Sequence, residues 1–321
     1  MSPFQPAWWC RHRHAQTIWG ALLRPVGPVA LTRQRWETPD GDFLDLDRVA
    51  GAPRTPILIV WHGLEGSARS KPVLGLLAAA RGRGWRGIGV NLRSCSGEPN
   101  RLRRSYHGGE TADVAWIIQR VMAEEPGSPI LCAGVSLGGN RLLKYLGEQG
   151  EALPAAVRAA VAISTPFELA QSVGALERGF SGFYMGRLVG RLKARTRATL
   201  ARSPNLVDPR ALAAVRTLAE FDELVTAPVH GFRDAADYWR ASSSAQFLPR
   251  IRRPTLLINA EDDPFLPAQA LPRAAVAANR WLTAEFPARG GHLGFLTGPW
   301  PGWPACWADE RAMEFLATAI N

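Results

Sequence analysis

The sequence predicts an α/β protein in which a mostly parallel central sheet is flanked by helices, and two observations support this fold class. Short runs rich in β-branched and apolar residues alternate with stretches of helical apolar spacing, a pattern that is typical of βαβ units. The 321 residues are 46% hydrophobic and 21% charged, which indicates a large buried core and excludes a disordered, collagenous or coiled-coil chain. No apolar run approaches the ~20 residues that a membrane-spanning helix needs, so we expect no such helix.

The secondary-structure elements follow from the local patterns. Residues 33–49 alternate apolar and polar residues around a P-D-G turn, which predicts an antiparallel hairpin at the edge of the sheet. Strands are predicted at residues 57–61, 85–91, 130–135, 157–164, 255–259 and 281–286. Helices are predicted from about residue 71, over residues 111–123 and 137–147, and at residues 308–320.

A single domain over residues 1–321 accommodates these elements, with a core formed by residues 30–165 and 250–321. The segment between them, residues 166–249, carries no strong strand run and is rich in aromatic residues and arginine. We therefore expect a helical cap insertion over the carboxyl edge of the sheet, and we call residues 166–249 the cap segment.

The chain is strongly basic, with 38 Lys and Arg against 28 Asp and Glu, a formal net charge of +10 and a pI near 10.3. Such a charge fits nucleic acid, a membrane surface or an anionic substrate, and by itself selects none of them. The basic residues are scattered and match no nucleic-acid-binding motif, so we expect no nucleic-acid partner.

One basic stretch lies inside the cap segment. Residues 186–203 hold six cations and no acid, while Leu188, Leu192, Thr196 and Leu200 fall on one helical stripe. A helix of this kind either contacts anionic lipid or a phosphate-bearing substrate, or presents a solvated face.

The cysteines and histidines form no metal-binding pattern. The four cysteines lie far apart, without a C-x-x-C pair or zinc spacing, and are expected to be reduced thiols. His12 and His14 have no partner ligands nearby in the sequence, so a structural role is expected for both, and we expect no metal and no cofactor. The first residues lack the continuous apolar stretch of a secretory signal, which favours a cytoplasmic protein.

A G-x-S-x-G pentapeptide spans Gly134 to Gly138, with Ser136 at its centre. It lies where a predicted strand ends and a predicted helix begins, which is the context of a nucleophile elbow. A serine at the tip of such a turn has strained backbone geometry, and glycine two residues before and two after it avoids collisions. The pattern predicts Ser136 as a nucleophile, and a chance match in a glycine-rich turn is the alternative.

Two later segments contain the groups that would activate this serine. Asp262 and Asp263 follow the strand predicted at residues 255–259, and either can orient an imidazole or cap the next helix. We favour Asp263, because its D-P-x-x-P context resembles the turn after the acid-bearing strand of many α/β-hydrolases. His292 lies in the glycine loop R-G-G-H-L-G-F after the last strand, and the chain order Ser, Asp, His is that of the α/β-hydrolase fold.

An acyl-transfer site also needs main-chain N–H donors for a tetrahedral oxyanion. The residue after the nucleophile, Leu137, supplies one donor. The other is assigned to Leu64, because the turn W-H-G-L-E-G follows the strand at residues 57–61 and its glycines let the backbone approach a ligand. We expect His62 of this turn to be structural.

The sequence resembles the YheT-like α/β-hydrolases, which are related to eukaryotic abhydrolase-domain lipases and yeast medium-chain ethyl-ester synthases. The segments that carry the resemblance run nearly end to end: HAQTIW, HGLEGS, RSCSGEPNR, SYHGGET, GVSLGGN, APVHGF, DDPFLP and GGHLGF. The resemblance implies an α/β-hydrolase fold with Ser136 as nucleophile, Asp263 as acid and His292 as base. One departure is Ser94, which stands where the family pattern has glycine, and a positive φ there would cost roughly 1 kcal/mol.

We therefore expect a serine hydrolase that cleaves carboxylic esters, lipid-like esters included, through an acyl-enzyme. An acyltransferase or a thioesterase would use the same triad, and a catalytically silent binder of a hydrophobic ligand is the alternative from another class. The aromatic residues of the cap segment either line an acyl tunnel or pack the cap: Phe167, Phe180, Phe183, Tyr184, Phe221, Phe232, Tyr238 and Trp239.

Overall fold

The centre of the computed structural model, which describes residues 2–302 and 304–320, is an eight-stranded sheet. Its strands are β1 (Thr32–Glu37), β2 (Phe43–Val49), β3 (Ile57–Trp61), β4 (Arg86–Val90), β5 (Ile130–Val135), β6 (Val157–Ile163), β7 (Thr255–Ile258) and β8 (Leu282–Glu285). The strand order is β1-β2-β4-β3-β5-β6-β7-β8. The hairpin β1–β2 forms one edge and pairs antiparallel, and every neighbouring pair from β4 to β8 is parallel. The predicted α/β fold with a mostly parallel sheet is confirmed.

Helices cover both faces of this sheet, and two-residue alternation along the strands divides the core between the faces. The helices are α1 (Arg13–Ile18), α2 (Lys71–Gly82), α3 (Ala112–Glu124), α4 (Leu137–Gln149), α5 (Leu169–Leu176), α6 (Ser181–Leu200), α7 (Pro209–Ala214), α8 (Leu218–Phe221), α9 (Ala227–His230), α10 (Ala235–Ser242), α11 (Arg273–Ala278) and α12 (Trp307–Thr318). In β3, Ile57, Ile59 and Trp61 pack with α3 and α4, whereas Leu58 and Val60 pack with α2 and α12. A two-stranded ribbon of β9 (Leu296–Thr297) and β10 (Ala305–Cys306) lies outside the main sheet.

Between β6 and β7 the described chain contains helices and no strand. Helices α5 to α10 occupy this stretch, and they share a small apolar cluster that includes Leu212, Leu218 and Phe221. The long helix α6 contributes buried Tyr184 and Val189 to the same cluster. The cap segment is therefore a run of helices inserted between β6 and β7, two neighbouring strands of the parallel sheet.

The loop after β4 shows how the chain accommodates serine at the family's glycine position. Ser94 has φ +62°, the strained conformation that the sequence analysis anticipated. Its N–H donates to Oδ1 of Asn100, and its Oγ accepts from the Asn100 N–H at 3.0 Å. The Asn100 side chain in turn donates to Asp42 Oδ1 at 2.8 Å. Each such bond contributes about 1 kcal/mol, so the pair offsets the backbone strain.

The remaining expectations concern metals, thiols and membrane spans. The four cysteines are free, and three of them are buried. No group of three or more His, Cys, Asp or Glu side chains within residues 2–302 and 304–320 is placed to hold a metal ion. His14 contacts Tyr184, with 3.1 Å between Nδ1 and the hydroxyl oxygen. Among the described helices, none has both the length and the hydropathy to cross a bilayer.

Candidate active site

The elbow between β5 and α4 presents Ser136 at the carboxyl edge of the sheet. Ser136 has φ +52° and ψ −124°, and its N–H donates to the Ile163 carbonyl of the next strand at 2.8 Å. The flanking glycines are required by close backbone approach. A Cβ on Gly134 would lie 2.6 Å from the Gly138 carbonyl oxygen, and a Cβ on Gly138 would lie 2.6 Å from the His62 carbonyl oxygen. Because neither backbone can yield, these positions exclude any larger residue.

The structure brings Ser136, His292 and Asp263 together from three separate loops at this edge. The distance from His292 Nε2 to Ser136 Oγ is 3.0 Å, and the distance from His292 Nδ1 to Asp263 Oδ2 is 2.8 Å. The Asp263 side chain is fully buried and that of His292 is 7% exposed. A carboxylate only accepts, so Nδ1 carries the proton and Nε2 is free to accept from the serine hydroxyl.

The neighbouring Asp262 points to a different partner. Its Oδ1 accepts the N–H of Gly291 at 2.9 Å, which ties the histidine loop to the loop after β7. Burial raises the pKa of the Asp262 carboxyl. The geometry therefore separates the two aspartates: Asp263 contacts the imidazole, and Asp262 contacts the backbone beside it.

The segment around α1 supports the histidine loop, a role that the sequence analysis missed. Thr17 Oγ1 accepts the N–H of His292 at 2.9 Å, and Gln16 Oε1 accepts the N–H of Leu296 at 2.8 Å. On the other side, the Phe265 ring stacks on the imidazole with 4.2 Å between centroids and 18° between planes. The HAQTIW segment could have indicated this role, because it is one of the family-like segments, but its residues alone do not show which loop it contacts.

The turn after β3 lies directly against the nucleophile. A Cβ on Gly63 would lie 2.8 Å from Ser136 Cβ, so this turn approaches the serine as closely as glycine allows. Leu64 and Leu137 line the same cavity as Ser136, and in the described chain neither of their N–H groups donates to another backbone group. Both N–H groups chosen from the sequence thus lie near the serine and have no backbone acceptor within the part of the chain that the structure describes.

His62 holds this turn in place. Its Nδ1 donates to the Gly63 carbonyl at 2.7 Å, and its Nε2 accepts the Leu92 N–H at 3.1 Å. Complete burial lowers the pKa of His62 to about 3, so the ring is neutral, as this bonding pattern requires. The structural role expected for His62 agrees with these contacts.

A buried charge cluster around Glu65 was not identified from the sequence. Glu65 has φ +56°; its Oε1 accepts from the Tyr106 hydroxyl at 3.0 Å and its Oε2 pairs with Arg195 Nη2 at 3.0 Å. The Glu65 N–H donates to the Tyr106 oxygen at 2.8 Å, and the Glu65 carbonyl accepts from Arg191 Nη1 at 3.1 Å. Burial raises the pKa of the Glu65 carboxyl, and Arg195 opposes that rise. Two arginines of α6 therefore fasten the residue that follows Leu64.

A cavity of about 780 Å³ opens above the serine. Helix α6 and other parts of the cap segment line one side, and the turn after β3 lines the other. Five of the eight cap aromatics named above face this cavity: Phe183, Tyr184, Phe221, Tyr238 and Trp239. Phe167 and Phe232 instead pack against the core beneath. The cavity is large enough and apolar enough to take a drug-sized acyl compound.

These features define a class of protein. A parallel sheet with a strained serine at the elbow after β5, and a histidine and a buried aspartate within hydrogen-bond distance in series, is the architecture of an esterase- or lipase-type α/β hydrolase. The chain belongs to the family described as the alpha/beta hydrolase fold, whose family model matches residues 56–299.

Comparison with known proteins identifies relatives within this family. The chain is 41% identical over 313 residues to the protein of Escherichia coli (strain K12) named as esterase YheT, covering 96% of this chain and 91% of that protein. It is 28% identical over 327 residues to Phospholipase ABHD3 of Mus musculus, covering 99% of this chain and 79% of that protein. The YheT-like resemblance is confirmed, and with it the assignment as a carboxylic ester hydrolase.

A solved structure shows the same fold at low sequence identity. The Pyrococcus furiosus esterase Pf2001 superimposes with a TM-score of 0.60 at 14% identity, covering 93% of this chain and 99% of that chain.

Proposed function

We propose that this hydrolase cleaves acyl esters through a triad of Ser136, His292 and Asp263 and a covalent acyl-enzyme. The observation that carries the proposal is the pair of hydrogen bonds that joins the three side chains in series, 3.0 Å and 2.8 Å long. As Ser136 Oγ attacks the ester carbonyl, His292 Nε2 takes the hydroxyl proton and then delivers it to the leaving alkoxide. Asp263 holds the productive tautomer and stabilises the imidazolium.

The oxyanion of each tetrahedral intermediate would be bound by the N–H groups of Leu64 and Leu137. Water then attacks the acyl-enzyme, with His292 accepting its proton, and Ser136 is released with its hydrogen restored. An alcohol or a thiol that reaches the acyl carbonyl before water gives acyl transfer instead, and a thioester would enter the same site. Hydrolysis is the proposal because water requires no dedicated acceptor site.

We also propose that the cap segment forms the acyl-binding side of the cavity. Its helices supply the apolar lining opposite the turn after β3, and Tyr184 contacts Phe265, which stacks on the imidazole. An acyl chain in this cavity would therefore be enclosed between cap and core.

The expected lack of a nucleic-acid partner stays a prediction, which a gel shift with random DNA would test.

The test is covalent labelling by a fluorophosphonate probe together with hydrolysis of p-nitrophenyl butyrate. Ser136→Ala should abolish labelling and lower kcat by about 10⁶-fold. Ser128→Ala is the matched control, because Ser128 lies just before the opposite end of β5 and its hydroxyl accepts from Arg86. Labelling that is absent from the wild type, or equal in Ser136→Ala, would favour a silent hydrophobic-ligand binder.

A further inference from the structure

Large apolar side chains are exposed beside the cavity. In the described chain, the exposed large hydrophobic residues are Trp8, Leu22, Leu23, Phe180, Phe183 and Trp300. Four of these six belong to two short segments next to the cavity, one just after α1 and one at the start of α6. Their exposed fractions are 54% for Leu22, 58% for Leu23, 56% for Phe180 and 64% for Phe183. We call these four residues the rim patch.

A ring contact joins helix α1 to the second of these segments. His14 of α1 lies with its ring 4.7 Å from that of Phe180, and Phe180 lies 5.9 Å from Phe183. Leu22 and Phe183 are exposed and also line the cavity, so each of the two segments borders the cavity. An exposed apolar cluster at the border of an apolar cavity is typical of an interaction site.

Aromatic contacts lead from the rim patch to the imidazole. Ring centroids are 6.1 Å apart for Phe183 and Tyr184, 5.0 Å for Tyr184 and Phe265, and 4.2 Å for Phe265 and His292. A series of packed aromatic rings therefore links the rim patch to the imidazole of His292.

The cavity lining holds more cationic than acidic side chains. Its lining contains six cationic residues, namely Arg69, Lys71, Arg103, Arg187, Arg191 and Arg195. Its two acids are already engaged, since Glu65 pairs with Arg195 and Asp222 accepts from Trp239 Nε1 at 2.8 Å. Among the described residues, Lys71, Arg103 and Arg187 have no ion-pair partner. The apolar rim patch therefore borders a cavity whose lining carries an excess of positive charge.

We propose that the rim patch inserts into the headgroup region of an anionic lipid bilayer, with the arginines and the lysine of the cavity lining facing the lipid phosphates. Apolar side chains that enter the interface and cations that face anionic headgroups act together in peripheral binding. In the docked orientation the cavity opening faces the lipid. Membrane binding itself does not depend on the proposed function, whereas the use of that lipid as an acyl-ester substrate rests on it. A second copy of the chain fits this surface poorly, because two-fold pairing would bring the same cations face to face.

The test is co-sedimentation with vesicles of phosphatidylcholine alone and with vesicles containing roughly 30 mol% phosphatidylglycerol. We expect binding to the anionic vesicles at least about tenfold tighter than to the neutral ones, and weaker binding as salt rises. The double variant Leu23→Ser/Phe180→Ser should lose about tenfold or more, since both side chains are exposed and neither lines the cavity.

The matched control is Trp8→Ser/Trp300→Ser, which removes side chains that are 63% and 66% exposed but do not line the cavity. This control should bind like the wild type. Three results would overturn the proposal. The first is a wild type that does not bind the vesicles, and the second is an equal loss of binding in both double variants. The third is a wild type that is dimeric in solution together with a monomeric Leu23→Ser/Phe180→Ser variant. Turnover of p-nitrophenyl butyrate in solution is measured on the same samples. Failure of that turnover with vesicle binding intact would reject the proposed function and leave the docking surface standing.

Discussion

Replacing Glu65 by glutamine tests whether the buried charge cluster positions the N–H group of Leu64, which we propose as an oxyanion donor. The carboxylate accepts from Tyr106 at 3.0 Å and pairs with Arg195 at 3.0 Å, and its side chain is only 3% exposed. Glutamine keeps the shape and can still accept from Tyr106. It removes the negative charge, however, and turns an N–H₂ donor toward the guanidinium.

The magnitude follows from this geometry. Breaking a buried ion pair by removing one charge costs about 3 to 5 kcal/mol of stability. Arg195 is 16% exposed, so part of its charge is solvated and we expect the lower end, about 3 kcal/mol. Glu65 has φ +56° directly after Leu64, so release of its side chain lets the strained turn relax. Loss of one oxyanion donor lowers kcat by about 10²- to 10³-fold, which sets the upper limit.

The assay compares kcat and KM for p-nitrophenyl butyrate under conditions where circular dichroism shows both proteins folded. We expect kcat to fall by about 10-fold to 10³-fold while KM changes by less than about threefold, because the donor acts on the transition state. Glu110→Gln is the matched control, since Glu110 forms another buried ion pair, with Arg141 at 2.7 Å. The control should lose comparable stability and keep its kcat.

The reasoning would be refuted if Glu65→Gln lost the expected stability with kcat unchanged. In that case the carboxylate only stabilises the fold. Equal losses of kcat in Glu65→Gln and Glu110→Gln would point to the same conclusion, because the effect would follow stability and not the oxyanion turn.

Three further predictions concern the acid, a buried histidine and two glycines. Asp263→Asn should lower kcat by about 10⁴-fold, whereas Asp262→Asn should retain activity within about tenfold; reversed effects in steady-state kinetics would exchange their roles. His62 is neutral when folded, with its pKa lowered to about 3, so its protonation favours the unfolded state as pH falls below about 6.5. Urea titrations should therefore show that the free energy of unfolding falls between about pH 6 and pH 4 more steeply in the wild type than in His62→Gln. The expected difference in slope is about 1.4 kcal/mol per pH unit, and equal slopes for the two proteins would contradict the prediction. Gly138→Ala should abolish activity, because its Cβ would collide with the backbone, and intact activity in this variant would disprove that steric argument. Gly186→Ala is the comparison in helix α6, where the added Cβ meets nothing within 4 Å. This second variant should be more stable than the wild type by about 1 kcal/mol in thermal melts.

Much of the fold could be predicted because local pattern and strand pairing agree. The apolar run at residues 130–135 becomes β5 with the same bounds, and a parallel neighbour on each side buries it fully. The hairpin of β1 and β2 was also predictable, since its turn lies within the pattern that defines it. The helices of the cap segment were predicted only as a class, because their bounds depend on packing within a small cluster of their own.

The sequence by itself determined the chemical types of the site and their order: a serine between glycines, an aspartate pair after a strand, and a histidine in a glycine loop. These are local properties, because a residue type and its neighbours along the chain define a turn. Only the tertiary structure decided which aspartate reaches the imidazole, that Thr17 holds the histidine loop, and that Arg195 fastens the turn at Glu65. Each of those contacts joins residues more than 25 positions apart, and the distance between such residues depends on how the whole sheet and its cap pack together.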